Sequence, residues 1–372
     1  MNFSKHWAAT LEDYVIDLAW SPDGSLLAAA SAAGGISLFG TADGAVRHVL
    51  AGHENGTNTI AWKLGGQAVP SEATLAGRPE DSPDVLVSGG QDGCVRFWDA
   101  VSGRPTAEAK LGSAWVEHLA AMAEAPDAAS RTQGHPPCLF AAAGKKLFAL
   151  RADGSVAHAF PDAPKTITAL ASFTPRESVA TTPAAPSRLA AAYFGGVCIW
   201  NTDTLAADKE LPYGNTIHAL TWSPDGRWLV AGCQDNAVHL WVPAEDLELH
   251  MSGYETKLRE LSFSQDSRWL ATGGGRDACV WDCAGAGPEG REPLLLPHDQ
   301  RVVAVAFQHR HGLLATAAGG GEFSLWSPTR KNPLVASARM PAAATKLAWS
   351  PDDTLLAVGT EKGAVYVFKV EP

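Results

Sequence analysis

Gly52-His53-Glu54-Asn55-Gly56-Thr57-Asn58-Thr59-Ile60-Ala61-Trp62 opens the stretch whose reading decides the fold. After a polar insertion it continues as Leu86-Val87-Ser88-Gly89-Gly90-Gln91-Asp92-Gly93-Cys94-Val95-Arg96-Phe97-Trp98-Asp99. Three apolar runs of strand length are divided by Gly-rich turns, the pattern of antiparallel β structure.

Gly-His at the start and Trp-Asp at the end are the marks of a WD40 repeat, and the stretch resembles that family. The resemblance places His53 in the loop before strand a, Ser88 on strand b, Asp92 in the b–c turn and Trp98 on strand c. It implies a buried hydrogen-bond relay through these four side chains, a structural role consistent with the need to pair buried polar groups. The alternative is a catalytic His-Asp-Ser set; all three residues, however, match positions that the family uses for folding.

The same unit recurs along the 372 residues. Unit one has Val15, Leu18 and Trp20, then Ser21-Pro22-Asp23-Gly24, Leu26 to Ala30, and Ile36 to Phe39. Pro second and Gly fourth suit a type I turn. Unit three is worn, with Val116, Leu119, Leu139 to Ala143 and Leu147 to Leu150, and unit four ends Val197-Cys198-Ile199-Trp200. Unit five repeats the turn as Ser223-Pro224-Asp225-Gly226, and unit eight as Ser350-Pro351-Asp352-Asp353. Units six and seven end at Trp281-Asp282 and Trp326. The relay is complete in unit two alone: Tyr213 and Tyr254 take the His position in units five and six, and unit seven has His298, Thr316 and Trp326 but Gly320 where Asp would be.

Unit eight stops after strand c, whereas Phe3 to Ala8 lies before unit one, where a strand d would fall. The expectation is all-β: a single closed eight-bladed β-propeller, WD40-like, one domain over 1–372, its last blade completed by the N-terminal strand. Closure removes exposed sheet edges. Seven blades is the alternative, should unit three or four not be a true blade.

A net charge of −11 argues against generic binding to nucleic acid or anionic membrane. No apolar run is long enough to span a bilayer, and Met1 to Asp13 lacks the apolar core of a secretory signal. Cys94, Cys198 and Cys279 precede strand-c aromatics, where a small hydrophobe belongs. Cys279 and Cys283 lack a second pair to complete a zinc site, so these, Cys138 and Cys233 read as reduced thiols in a cytoplasm. The Ala-rich composition with Asp-Gly and Ser-Pro turns points to a bacterial-type member of the family.

The d–a and b–c connections share one end of each blade, the top. There the residue before the first apolar position of strand a is Tyr14, Gly56, Trp115, Thr166, Thr216, Lys257 and Arg301 in units one to seven. Tyr14, Trp115, Lys257 and Arg301, with Gln91, Gln234 and Arg276 at the b–c turns, are the candidate binding residues for a protein partner, aromatic and Arg side chains being enriched at interface hot spots. Packing of Trp115 on a neighbouring blade is the competing account. Long a–b connections at 65–84, 123–137 and 174–187 form either a second binding crest or tolerated insertions.

Two residues beyond the first apolar position of strand a come Asp17, Thr59, His118, Ala169, His218, Glu260, Ala304 and Lys346. A divalent metal held by the histidines and carboxylates is conceivable, as is a weaker pair at His309 and His311, but a solvated polar channel accounts for them better. No phosphate-cradling loop, His-Glu-x-x-His or Gly-x-Ser-x-Gly elbow occurs. The expected function is therefore a non-catalytic interaction scaffold with no cofactor or metal; the alternatives are a channel-site metal protein or hydrolase-like enzyme, and a permanent structural subunit of a larger complex.

Overall fold

A computed structural model of the chain describes residues 2–63, 84–122, 137, 139–175 and 186–371. The three long a–b connections, Cys138 and the binding crest inferred for those loops lie outside them, apart from a few flanking residues.

Every described strand belongs to one of eight four-stranded antiparallel sheets, the blades of a β-propeller. Blade two, from the stretch quoted above, runs Thr57–Trp62, Val85–Gly90, Cys94–Asp99 and Pro105–Lys110. The worn third unit is a full blade: Val116–Ala121, Leu139–Ala143, Lys146–Leu150 and Val156–Ala159. Unit four is complete as well, from Ile167–Phe173 to Ala207–Pro212, so the seven-blade alternative falls. The last sheet takes three strands from the C-terminal end, Ala344–Trp349, Leu355–Thr360 and Ala364–Glu371, and its fourth from Asn2–Thr10. That N-terminal strand closes the ring, and it is longer at both ends than the apolar pattern implied.

The chain packs as two compact units. One holds Met1–Lys5, Thr168–Glu361 and Phe368–Pro372; the other holds His6–Ile167 and Lys362–Val367. In both, strand b is buried on its two faces. Ala28 to Ala30, Ala141 to Ala143 and Ala190 to Ala192 are solvent-shielded over their whole length. A strand covered on both sides loses the in–out alternation and reads as a continuous apolar run. Alanine suits it because a methyl lets the sheets approach while larger chains at strands a and c fill the remaining space to crystal-like density. In the second unit Ile36, Leu38, Ile60, Trp62 and Trp98 do so. In the first, Val197, Ile199, Ile217, Trp222 and Trp241 do.

Aromatic side chains fix the closing strand. Phe3 stacks on Phe368 at 5.0 Å and meets Phe323 edge-on at 5.2 Å. Trp7 is buried against Phe39 at 5.6 Å and donates its indole N–H to the Thr41 carbonyl at 2.9 Å. Burying an aromatic side chain is worth about 2–3 kcal/mol, so two such anchors hold the strand well beyond its ladder hydrogen bonds.

Four of the described a–b turns share a Ser-x-Asp device, and in blade seven Gln308 accepts from Leu313 N instead. Ser21 Oγ donates to Asp23 Oδ1 at 2.6 Å and accepts from Leu26 N at 2.9 Å. Ser223 with Asp225, Ser264 with Asp266 and Ser350 with Asp352 repeat it. The fourth turn residue sits at positive φ, as Gly24 and Gly226 but also as Ser267 and Asp353. Those two side chains have work that offsets the strain. Ser267 Oγ accepts from Asp225 N at 2.9 Å. Asp353, which is buried, accepts from the N–H groups of His309, Arg310 and His311 at 2.8, 2.7 and 3.3 Å.

Asp353→Gly should relieve about 1 kcal/mol of left-handed strain yet strip three donors of their acceptor, for a net loss of about 1–3 kcal/mol. Urea unfolding checks the direction; a more stable variant would mean that the staple contributes less than the strain.

Candidate functional site

In blade two the four relay side chains lie in one chain of contacts. Trp98 Nε1 donates to Ser88 Oγ at 2.8 Å, His53 Nε2 is 2.8 Å from that oxygen, and His53 Nδ1 is 2.9 Å from Asp92 Oδ1. A proton on Nδ1 satisfies every group: Nδ1–H donates to Asp92, Nε2 accepts the Ser88 hydroxyl, and Ser88 accepts from the indole. Arg96 braces the carboxylate, donating from Nη1 to Asp92 Oδ2 at 2.7 Å and to the Gly52 carbonyl at 2.9 Å. The order of contacts is that of a Ser-His-Asp triad. Ser88 and the His53 ring are, however, sealed from solvent, and the Ser88 oxygen faces an indole where a substrate carbonyl would need to be.

Two further blades keep the relay with other residues, and blade five keeps one link of it. In blade six Trp281 Nε1 donates to the Tyr254 hydroxyl at 2.8 Å, which pairs with Thr272 Oγ1 at 2.9 Å. In blade seven His298 Nε2 and Trp326 Nε1 both meet Thr316 Oγ1 at 2.7 Å, and the Leu296 carbonyl, 3.0 Å from Nδ1, stands in for the missing carboxylate. In blade five the Tyr213 hydroxyl donates to both Asp235 oxygens at 2.8 and 2.7 Å. The sequence departures at Tyr254 and Gly320 thus change the members of the relay without abolishing it, whereas at Tyr213 only a tyrosine–carboxylate link remains. A phenol can donate and accept as an imidazole can, and its longer reach spans the same gap.

At the top end of the blades the candidate binding residues divide. Tyr14 is 43% and Trp115 51% exposed, and Arg276 and Arg301 are exposed too. Lys257 is half-buried. Gln91 is half-buried beside Asn58, and the Gln234 amide oxygen is engaged by His218 Nε2 at 2.5 Å. Tyr14, Gln91 and Trp115 belong to one unit; Gln234, Lys257, Arg276 and Arg301 belong to the other. Two residues escaped the sequence reading. Phe194 is 50% exposed in the b–c turn of blade four. Its signal was an aromatic in Tyr193-Phe194-Gly195-Gly196, where a polar turn residue is usual. Arg259 is exposed two residues beyond Lys257. Its signal was a charge at a position where strand a normally has started.

The polar residues two positions into strand a are occupied by local work. Asp17 Oδ2 accepts from Ile60 N at 3.1 Å. Glu260 accepts from Arg259 N at 3.2 Å, and burial pushes its carboxyl up. His309 and His311 give their backbone N–H groups to Asp353. Among the described residues, no group of three or more His, Cys, Asp or Glu side chains is placed to hold a metal ion. Burial pushes the thiols of Cys198 and Cys283 up to about 12 and those of Cys233 and Cys279 to about 11, so all four are protonated and poorly nucleophilic at neutral pH. No helix is long and apolar enough to cross a membrane among the described residues.

Comparison with known proteins agrees with the geometry. The WD domain, G-beta repeat model matches residues 44–99, 210–242 and 246–282, and the model of the anaphase-promoting complex subunit 4 WD40 domain matches 1–64. Among curated proteins, the B-type cell cycle switch protein ccs52A of Medicago truncatula is 22% identical over 158 residues, 42% of this chain and 33% of that protein. The probable cytosolic iron-sulfur protein assembly protein 1 of Mycosarcoma maydis is 26% identical over 121 residues, 32% of this chain and 24% of that one. The chain therefore spans a third or less of these relatives' length. Among solved structures, the Dos1 propeller superposes with a TM-score of 0.77 at 14% identity, covering 99% of this chain and 95% of its own. The computationally designed Ika8 protein gives 0.72 at 17%, covering 99% and 100%. The repeat matches and the eight blades support a WD40-repeat propeller.

Burial holds His53 and His298 below the ordinary imidazole value of 6.5, prevailing over the carboxylates Asp92 and Glu322 that pull the other way. Burial works to raise Asp92, but hydrogen bonds from His53 and Arg96 prevail and bring it to about 2. An unfolded histidine takes up a proton near 6.5 where these two do not, so stability is full above that pH and declines below it. The contribution of Asp92 is present above 3.8 and lost as pH falls toward 2. The urea midpoint should therefore drop between about pH 7 and about pH 5, and a His53→Gln/His298→Gln variant should show a flatter slope there. Equal slopes in the two proteins would show that other groups govern the decline.

Proposed function

We propose that this chain is a non-catalytic protein-interaction platform of the WD40 kind, working in the cytoplasm as one domain. The observation that carries the reading is the placing of the largest exposed aromatic side chains. Among the described residues Tyr14, Trp115 and Phe194 are each about half exposed, and each lies at the d–a or b–c end of its own blade. Large aromatics left in water at loop positions are the side chains that give most binding energy when a partner covers them. A rigid sheet behind each loop holds it in place, so little ordering cost is met on docking.

The relatives lend support. One is described as a cell cycle switch protein and another as a probable cytosolic iron-sulfur protein assembly protein, and neither description names a reaction. The sealed relay of blade two supports a structural use of its His, Ser and Asp. The protonated, buried thiols suit a reducing compartment. Acting as one domain implies a single cooperative unfolding transition in which fluorescence and far-UV circular dichroism coincide.

Affinity purification of the tagged protein from its host tests the platform. The intact bait should bring down a partner in stoichiometric amount. Tyr14→Ala with Trp115→Ala should reduce its recovery about tenfold or more, the loss expected when two hot-spot aromatics are truncated. An intact, folded bait that retains nothing specific, or a partner indifferent to both this pair and Phe194→Ser, would overturn the reading.

A further inference from the structure

Asn55-Gly56, in the loop that carries His53, joins a carboxamide to a residue with no side chain to shield its amide nitrogen. Of the seven asparagines, Asn55 alone is followed by glycine. It is exposed, and among the described residues its side chain makes no hydrogen bond. Four other asparagine amides are engaged. Asn201 Oδ1 and Asn215 Oδ1 accept from backbone N–H groups at 2.8–3.0 Å, Asn236 Nδ2 donates to Glu255 O at 3.3 Å, and Asn58 Nδ2 donates to Val116 O at 3.2 Å. Asn332 precedes Pro333, which has no N–H, and Asn2 precedes the bulky Phe3. The five Asp-Gly pairs share the backbone arrangement but hold their carboxylates in place. Asp23, Asp43, Asp92, Asp153 and Asp225 each accept the N–H two residues on at 2.9–3.1 Å.

The loop around Asn55 is loosely closed. Gly56 N donates to His53 O at 3.4 Å and His53 N to Gly34 O at 3.4 Å, the two longest backbone hydrogen bonds among the described turns and loops. The turn bonds of Gly24, Gly154 and Gly226 measure 2.9, 3.0 and 2.8 Å. At 3.4 Å an N–H is near the limit of hydrogen bonding. Asn55 also holds φ at +66°, a left-handed conformation that glycine adopts more readily. Gly56 is covered while the turn is closed, so its nitrogen is reached when the turn opens. Long bonds and a strained corner make that local opening cheap.

We propose that Asn55 is a site of spontaneous deamidation. In the opened turn the Gly56 nitrogen attacks Asn55 Cγ. The new N–C bond closes a cyclic imide as the bond from Cγ to the amide nitrogen breaks. The Gly56 proton passes through solvent to the departing group, which leaves as ammonia. Water then splits the ring. Cleavage at Cγ leaves aspartate in a normal chain; cleavage at the main-chain carbonyl leaves isoaspartate, whose backbone runs through Cβ and Cγ and is longer by a carbon. Both products add a negative charge beside Glu54. Isoaspartate also stretches a segment pinned on each side. Gly52 O accepts from Arg96 Nη1 at 2.9 Å, Gly56 O accepts from Gln91 N at 3.0 Å, and Thr57 Oγ1 donates to Gly34 O. The extra carbon displaces His53 or Gly56, so the isoaspartyl form loosens the relay of blade two and the aspartyl form keeps it. The reaction needs no partner and stands apart from the platform reading.

Mass spectrometry of the tryptic peptide 48–63 tests it, after the intact folded chain has stood at mildly alkaline pH. The peptide holds both Asn55 and Asn58, so Asn58 serves as an internal control. Asn55 should show the mass gain of an NH2-to-OH exchange at a rate at least about tenfold that of Asn58. The rate should climb with pH, because the attacking nitrogen must lose its proton. Part of the product should accept a methyl group from an isoaspartyl methyltransferase. Asn55→Gly, which suits the positive φ, should fold as the parent does and give no such product. The aged parent should melt at a lower temperature than the fresh parent, whereas aged Asn55→Gly and fresh Asn55→Asp should melt as the fresh parent does. Equal rates at Asn55 and Asn58, or conversion of Asn55 in urea-unfolded chain alone, overturns the site. An isoaspartate-bearing chain that melts as the fresh parent does overturns the link to the relay.

Discussion

The burial of strand b on both faces is the constraint from which the rest follows. Once a strand is covered on two sides, its side chains must be apolar or internally hydrogen-bonded, and runs of small residues such as Ala28 to Ala30 and Ala190 to Ala192 let the neighbouring sheets approach. Strands a and c then supply the bulk, and strand d, with exposed residues such as Val46, Val49 and Leu295, faces water. The gradient from small to large across each sheet is a packing solution that needs no polar group at all. This is why the blades with a worn repeat signature still form.

Polar chemistry enters where the packing leaves a gap between a d–a loop and its own sheet. The gap must be bridged by a group that can donate and accept, because a buried Ser or Thr hydroxyl and an indole N–H would otherwise go unpaired. His53, Tyr254 and His298 each bridge it, with Asp92, Thr272 or the Leu296 carbonyl completing the pattern. The requirement is on hydrogen-bonding capacity and reach, which several side chains satisfy, and this tolerance makes the motif look eroded in sequence while the geometry persists.

Legibility followed the same division. Blade number, strand order and the closing N-terminal strand were readable because period-2 patterns and Ser-Pro-Asp-Gly turns are local. Trp7 and Phe3 as anchors of that strand were not, since nothing local shows that Trp7 meets Phe39 or that Phe3 meets Phe368. Strand a of blade six was expected from Leu258, but its paired part is Leu261–Phe263. The Lys257-Leu258-Arg259-Glu260 segment instead carries charges around one buried leucine, and Leu258 N bonds to Cys233 O. Gln234 looked like a free top-end side chain, yet His218 occupies it. Asp353 read only as the last residue of a repeated turn, whereas its carboxylate is an acceptor for a loop about forty residues upstream. Contacts across blades are invisible to any reading that moves along one.

The last sheet, drawn from both ends of the chain, sets an order on synthesis. Each earlier blade is a run of hairpins that can form soon after it is made, but Asn2–Thr10 has no partner until Ala364–Glu371 exists. Roughly 350 residues intervene, and at about 5–20 residues per second the first strand waits on the order of 20–70 s with an open edge and with Phe3 unburied, since Phe3 packs on Phe323 and Phe368. During that interval the nascent chain is a ribbon with two sticky ends, open to pairing with a second copy or to capture by a chaperone.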